Sequence, residues 1–221
     1  MEKILSELEV RILGSLIEKE LCTPDYYPLT LNALTNACNQ KNNRDPVVSY
    51  DETTVVRGLD ELRERSYVTM VTGAGMRVPK YRQKFTEAYT FTPPQIAVIG
   101  VLLLRGPQTV GEIRSRGSIY YNFASLDEVE TTLVNFIDRK PESLVVRLPR
   151  QPGQKEMRYM HLFCGEPTIE QIIASAPLEN ARIQVQAENE RIATLEGTVK
   201  TLQEQLLKLQ EQFAQFKKQF E

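Results

Sequence analysis

The sequence predicts a mainly α fold with small β-hairpins (α+β), built as two tandem copies of one unit and followed by a long C-terminal helix. Three observations carry this expectation. Two stretches of about eighty residues repeat each other's apolar pattern, each copy closes on a β-branched and basic run around Gly or Pro, and a heptad spacing runs from Val185 onward.

The repeat is read element by element. "SELEVRILGSL" (Ser6–Leu16) matches "TPPQIAVIGVL" (Thr92–Leu102): Val10, Ile12, Leu13, Gly14 and Leu16 correspond to Ile96, Val98, Ile99, Gly100 and Leu102 at a constant offset of 86. A hydroxyl residue, Ser6 or Thr92, stands ahead of each apolar face as an N-cap, and Pro93 takes the first helical position, where its missing N–H costs little. "PLTLNAL" (Pro28–Leu34) then matches "PQTVGEI" (Pro107–Ile113), each a Pro-x-Thr start to a short helix. Third helices are expected from Ser49 and from Ser125. Each opens as Ser-x-x-Glu, the reciprocal capping box, with stripes Val55, Leu59, Leu62 and Val129, Leu133, Phe136 facing inward. Residues 67–85 and 144–163 read as hairpins, the first turning at Gly73 and Gly75.

Helix, helix, helix, hairpin is the order of a winged helix-turn-helix domain. The expected division is 1–90 and 91–170 for the two domains, 171–184 for a linker and helix start, and 185–221 for a coiled-coil helix. In that last segment Ile192, Leu195, Val199, Leu202, Leu206, Leu209, Phe213 and Phe216 follow a 3-4-3-4 spacing with no polar seam position. Such a stripe wants one partner helix: a second copy of the chain, giving a homodimer, or its own winged helices.

Composition sets limits. Hydrophobic residues make up 41% and charged residues 25%, ordinary for a globular chain, and the formal net charge of −2 gives no overall attraction to nucleic acid. A nucleic-acid surface therefore has to be a local patch. Three well-separated cysteines suit reduced thiols rather than a disulfide framework, and no basic-then-apolar leader precedes the first helix. The longest apolar run, Ile96–Leu103, is too short to span a bilayer, so the expected location is cytoplasmic, with no membrane partner.

"EVRILGSLIEKE", "TPDYYPLTLNALTNACNQKNNRDPV" and "FTPPQIAVIGVLLLRGPQTVGEIRSR" together resemble the YceH family of bacterial proteins over about residues 4–170. The resemblance implies two winged-helix domains in a cytoplasmic protein. It implies no activity and no catalytic residues.

The residues themselves offer a mixed case for DNA. In the first third helix, the outward face carries Thr53, Arg57, Asp60 and Glu64, so Thr53, Thr54 and Arg57 are the candidates for bases or phosphates. The second carries Asp127, Thr131, Val134 and Asp138, which is electrostatically poor for a groove. The first hairpin holds Arg77, Lys80, Arg82 and Lys84 without an acid, as a phosphate track or as edge protection. The second hairpin holds Arg147, Arg150, Lys155 and Arg158. The polar run "QKNNRDP" is a long turn between the second and third helices, with Asn42, Asn43 and Arg44 as its candidates for a ligand or DNA contact.

Enzyme signals are sparse. His161 is the one histidine and sits among strand-like neighbours, no phosphate-binding glycine loop or C-x-x-C occurs, and Glu18 and Glu20 fall on a polar helix face as solvated carboxylates. No cofactor or metal is expected. The leading expectation is a non-enzymatic DNA-binding or transcription-associated regulator, in which domain 1 reads duplex DNA while domain 2 and the C-terminal helix dimerise or hold a protein partner. The alternative is a protein-interaction scaffold without DNA binding.

Overall fold

The computed structural model describes residues 4–73, 77–150 and 155–168. Met1–Ile172 form one compact unit; the second unit, Ile173–Glu221, lies outside the described residues, and with it the expected heptad seam from Ile192 to Phe216. The chain is α+β, and each half runs three helices and then an antiparallel hairpin.

In the first half these are α1 (Glu7–Cys22), β1 (Leu29–Thr30), α2 (Leu31–Cys38), α3 (Glu52–Glu64), β2 (Val68–Val71) and β3 (Lys80–Gln83). The short helix α4 (Phe85–Ala88) leads to the second half: α5 (Pro93–Arg105), α6 (Val110–Gly117), α7 (Leu126–Ile137), β4 (Val145–Arg147) and β5 (Tyr159–His161). β1 pairs with the far edge of β3, giving the antiparallel order β1-β3-β2, with Thr30 opposite Lys80 and Val71 opposite Lys80 on the other side. The second half reproduces this with a single bridge, Gln108 to Tyr159, where β1 would stand.

Local chemistry sets the helix starts. Ser6 and Glu9 form a reciprocal box: the Ser6 N–H donates to Glu9 Oε2 at 2.8 Å, and the Glu9 N–H to Ser6 Oγ at 3.3 Å. Thr92 with Gln95 and Thr109 with Glu112 do the same for α5 and α6, and Thr30 caps α2. The expected box at Ser49 is corrected: Asp51 caps α3, accepting from the Thr54 N–H at 2.7 Å. Asn39 holds Tyr50 by both its backbone groups, at 2.7 and 2.8 Å, and this keeps the chain extended two residues past Ser49. At α7 Ser125 caps as expected, but the returning carboxylate of Glu128 accepts from the Ala124 N–H, one residue before the cap.

α1 and α5, the equivalent first helices of the two halves, lie against each other at the centre of the unit, with α2 and α3 on α1 and α6 and α7 on α5. Ile12, Leu13, Leu16 and Ile17 meet a core shared with Val98, Ile99 and Leu102, all fully buried. An aromatic group of Phe85, Tyr89, Phe91, Phe136 and Phe163 joins residues of both halves, with ring centroids 4.9–6.0 Å apart along its edges. The Arg139 guanidinium lies 5.7 and 5.6 Å from the Tyr89 and Phe91 ring centroids and donates to the Tyr89 carbonyl at 2.8 Å.

Of the two equivalent glycines, Gly14 and Gly100, only the first is needed for the close helix contact. A Cβ on Gly14 would stand 2.8 Å from Leu104 Cδ2 and 3.1 Å from Leu103 Cβ, whereas one on Gly100 would meet Ile17 at 3.4 Å, ordinary contact. Gly14→Ala is therefore expected to lower stability by about 1–2 kcal/mol despite alanine's better helix propensity. Gly100→Ala is expected to leave stability unchanged or raise it by up to about 1 kcal/mol. Urea unfolding of the two variants checks this asymmetry.

Candidate functional site

α3 presents the first group of candidate residues. Val55, Leu59 and Leu62 are buried and fix its rotation, so Thr53 and Arg57, one turn apart, stand exposed on the opposite face. Thr54 is half-buried, with its backbone spent on the Asp51 cap. Toward the C-terminus the same face carries Asp60 and Glu64, both exposed, with Asp60 3.0 Å from Arg63.

The hairpin presents the second group. Lys80 and Arg82 alternate on one face of β3 and are half-buried, while Arg77 and Lys84 are exposed. Arg82 is held by Glu87 at 2.5 Å, so its charge is partly answered within the chain. Lys84 lies past the end of β3; its backbone N–H donates to the Tyr67 carbonyl at 2.7 Å, and its side chain is solvated. The Gly73–Gly75 turn reaches residues outside those described.

The long α2–α3 connection is built differently from its sequence reading. Arg44 is corrected from surface candidate to interior residue: its side chain is 0% exposed. The guanidinium donates to both Glu18 oxygens, at 3.1 and 2.6 Å, and to the Ala37 carbonyl at the end of α2. Glu18 is corrected with it, since this carboxylate is buried rather than solvated. Burial alone would raise its pKa, but the Arg44 hydrogen bonds and charge outweigh burial and hold the carboxyl below its ordinary value. Asn43 adopts a left-handed backbone, φ 62°, and its side chain accepts from Arg105 of the second half. The Asp45 N–H donates to the Leu104 carbonyl at 2.9 Å. The connection thus docks on the end of α5, and of its three candidates only Asn42 keeps a free, exposed side chain among the described residues. No sequence signal marked Glu18, because its partner is 26 positions away in an irregular segment.

The second half diverges at the equivalent places. On α7, Asp127, Thr131 and Val134 are exposed, as is Asp138 at its C-cap, with Leu126 and Val134 as the helix's exposed apolar residues. Arg158, expected among the wing cations, is buried and pairs with Glu112 at 2.8 Å, also donating to the Pro107 carbonyl. Arg147, Arg150 and Lys155 stay at the surface.

His161 packs inside β5, 4% exposed, and its Nδ1 has no hydrogen-bond partner among the described residues. Burial lowers its pKa to about 4. Burial raises the Cys38 and Cys164 thiols to about 11, which disfavours the reactive thiolate. Among the described residues no group of three or more His, Cys, Asp or Glu is placed to hold a metal, and no helix is long and apolar enough to cross a membrane.

A family model described as "Protein of unknown function, DUF480" matches residues 5–154. A UPF0502 protein of Geobacter sulfurreducens is 54% identical over 91% of this chain and 91% of its own length. One from Geotalea daltonii is 56% identical over 89% and 88%, and one from Cronobacter sakazakii 42% over 93% and 96%.

Two outcomes are expected of this geometry. Arg44→Met strands the Glu18 carboxylate and is expected to cost about 3–5 kcal/mol in urea unfolding, whereas Arg57→Ala changes stability by less than about 0.5 kcal/mol. The second concerns pH. Unfolded, His161 takes its proton near its ordinary 6.5; folded, only near 4. Between those values unfolding takes up a proton, so stability falls as pH falls through that window, by about 3 kcal/mol in all. His161→Phe is expected to remove that part of the pH dependence.

Proposed function

This chain belongs to the YceH (UPF0502, DUF480) family, whose name carries no activity with it, and we propose that it is a non-enzymatic regulator that binds duplex DNA through its first half. In this reading each half is a winged helix-turn-helix domain, α3 is the helix offered to the major groove and the β2–β3 hairpin is the wing. The second half, with the C-terminal heptads, holds a second copy of the chain in a cytoplasmic homodimer.

The observation that supports this best is the sheet order β1-β3-β2 behind a three-helix unit whose third helix keeps Thr53 and Arg57 exposed. A winged helix places its third helix and its hairpin on the nucleic acid together. Here the hairpin adds Arg77, Lys80 and Lys84 without an acid among them. Affinity comes from neutralising phosphates, and two copies double a modest basic footprint.

A second reading keeps the architecture and drops the DNA. It is favoured by α7, where Asp127 and Asp138 flank the exposed Val134 and suit a protein partner better than phosphate.

The discriminating experiment is a salt titration of binding to mixed-sequence duplex DNA. Affinity is expected to fall steeply with salt, and each of Arg57→Ala, Lys80→Ala and Lys84→Ala to reduce the slope of log K against log salt by about 1. Absence of binding at low salt favours the protein-partner reading.

A further inference from the structure

We infer that the cleft between the end of α1, the α2–α3 connection and Ile119 binds a small organic anion, a phosphate or carboxylate head on a short apolar body. The cleft measures about 720 Å³, within the roughly 300–1,000 Å³ typical of small-molecule sites. Its lining comes from both halves: Lys19, Leu21 and Cys22 from α1, Lys41 and Asn42 from the connection, and Ile119 from beyond α6.

Charge decides the sign of the ligand. Glu18 is the one carboxylate among the lining residues, and it is consumed. Arg44 donates to both its oxygens, Lys19 stands 3.3 Å away, and the Tyr120 hydroxyl donates at 3.4 Å. A carboxylate so engaged has little left to offer a cation. The cations are under-used by comparison. Lys19 makes only long contacts, at 3.3 Å to Glu18 and 3.4 Å to Gln40, while Lys41 and the Asn42 amide have no partner among the described residues. Two lysines and an asparagine from separate segments thus line a space whose one carboxylate is already engaged.

The apolar body follows from the rim. Leu21 is 38% and Ile119 56% exposed, from opposite halves of the chain. The floor is firm, because the Glu18–Arg44 pair, the Arg44 bonds to Ala37 and the Asn43–Arg105 contact hold the connection in one shape. A ligand with head and body would touch both halves, and it would lie on the segment that leads into α3. The assignment stands apart from the DNA reading: neither α3 nor the β2–β3 hairpin contributes to the cleft, so either can fail alone.

The test is a titration of the full chain, at fixed ionic strength, with phenyl phosphate, phenylacetate and inorganic phosphate, following the side-chain amide of Asn42 by NMR. Saturable shifts are expected with both aromatic anions, weaker with inorganic phosphate, and the ratio of the first two tells which head group fits. Lys41→Met and Ile119→Glu, both at exposed positions, are each expected to weaken binding about fivefold, as one altered charge at a surface site would. Lys155→Met is expected to change nothing. The proposal is overturned if no anion gives a saturable shift, or if Lys41→Met and Ile119→Glu bind as the natural chain does.

Discussion

The packing of α1 against α5 is the constraint on which the rest of the unit depends. Each helix is buried over most of its circumference, α1 with ten buried residues, Glu9, Arg11, Ser15 and Glu18 among them, and α5 with eight, so neither lies as an outer helix with one face in solvent. Each needs cover from its own half on one side and from the other half on the opposite side. Gly14 lets the two approach until a methyl group would collide with Leu104, and that proximity turns two short repeats into one core. At roughly 1.5–3 kcal/mol for each fully buried Leu or Ile, the shared face outweighs what either half could collect alone.

That proximity also explains the chain's most polar segment. The end of α5 arrives beside the α2–α3 connection, and its carbonyl and Arg105 take partners there from Asp45 and Asn43. Beneath, Arg44 answers the buried Glu18 and satisfies the end of α2 through Ala37. Burying either charge by itself is unfavourable by several kcal/mol; the bidentate geometry and added carbonyl bonds offset that cost, and they impose one conformation on thirteen irregular residues between α2 and α3. Specificity of shape, more than stability, is what this pair supplies.

The legible part of the molecule is the part governed by local rules. Helix starts at Ser6, Thr30, Thr92 and Thr109, the buried stripes of α3 and α7, and the left-handed Asn43 all follow from spacing, capping and turn chemistry. Long-range pairings left no such trace. Glu18 looks solvated from the helix alone, Arg44 looks exposed in a polar run, and Arg158 looks like one more wing cation, because each partner is fixed only when distant segments meet. Ser49 fails as a cap for the same reason, Asn39 having taken hold of Tyr50 first. Of the candidate site, Thr53, Arg57, Arg77 and Lys84 are exposed as expected, while the α2–α3 candidates change role: one buried, one structural and one facing a cleft.

The two halves present different faces: α3 and the β2–β3 hairpin expose Arg57, Arg77 and Lys84 beside Asp60 and Glu64, whereas α7 exposes Asp127 and Val134. In the function proposed above, the first half meets phosphate and the second meets protein. This division is tested most directly by adding a short duplex to the isotopically labelled chain and mapping the backbone amides that shift. Shifts are expected to concentrate on α3 and the β2–β3 hairpin, around Thr53, Arg57 and Lys80, with α7 silent. Shifts centred on Asp127–Asp138, or none at any residue at low salt, would contradict it.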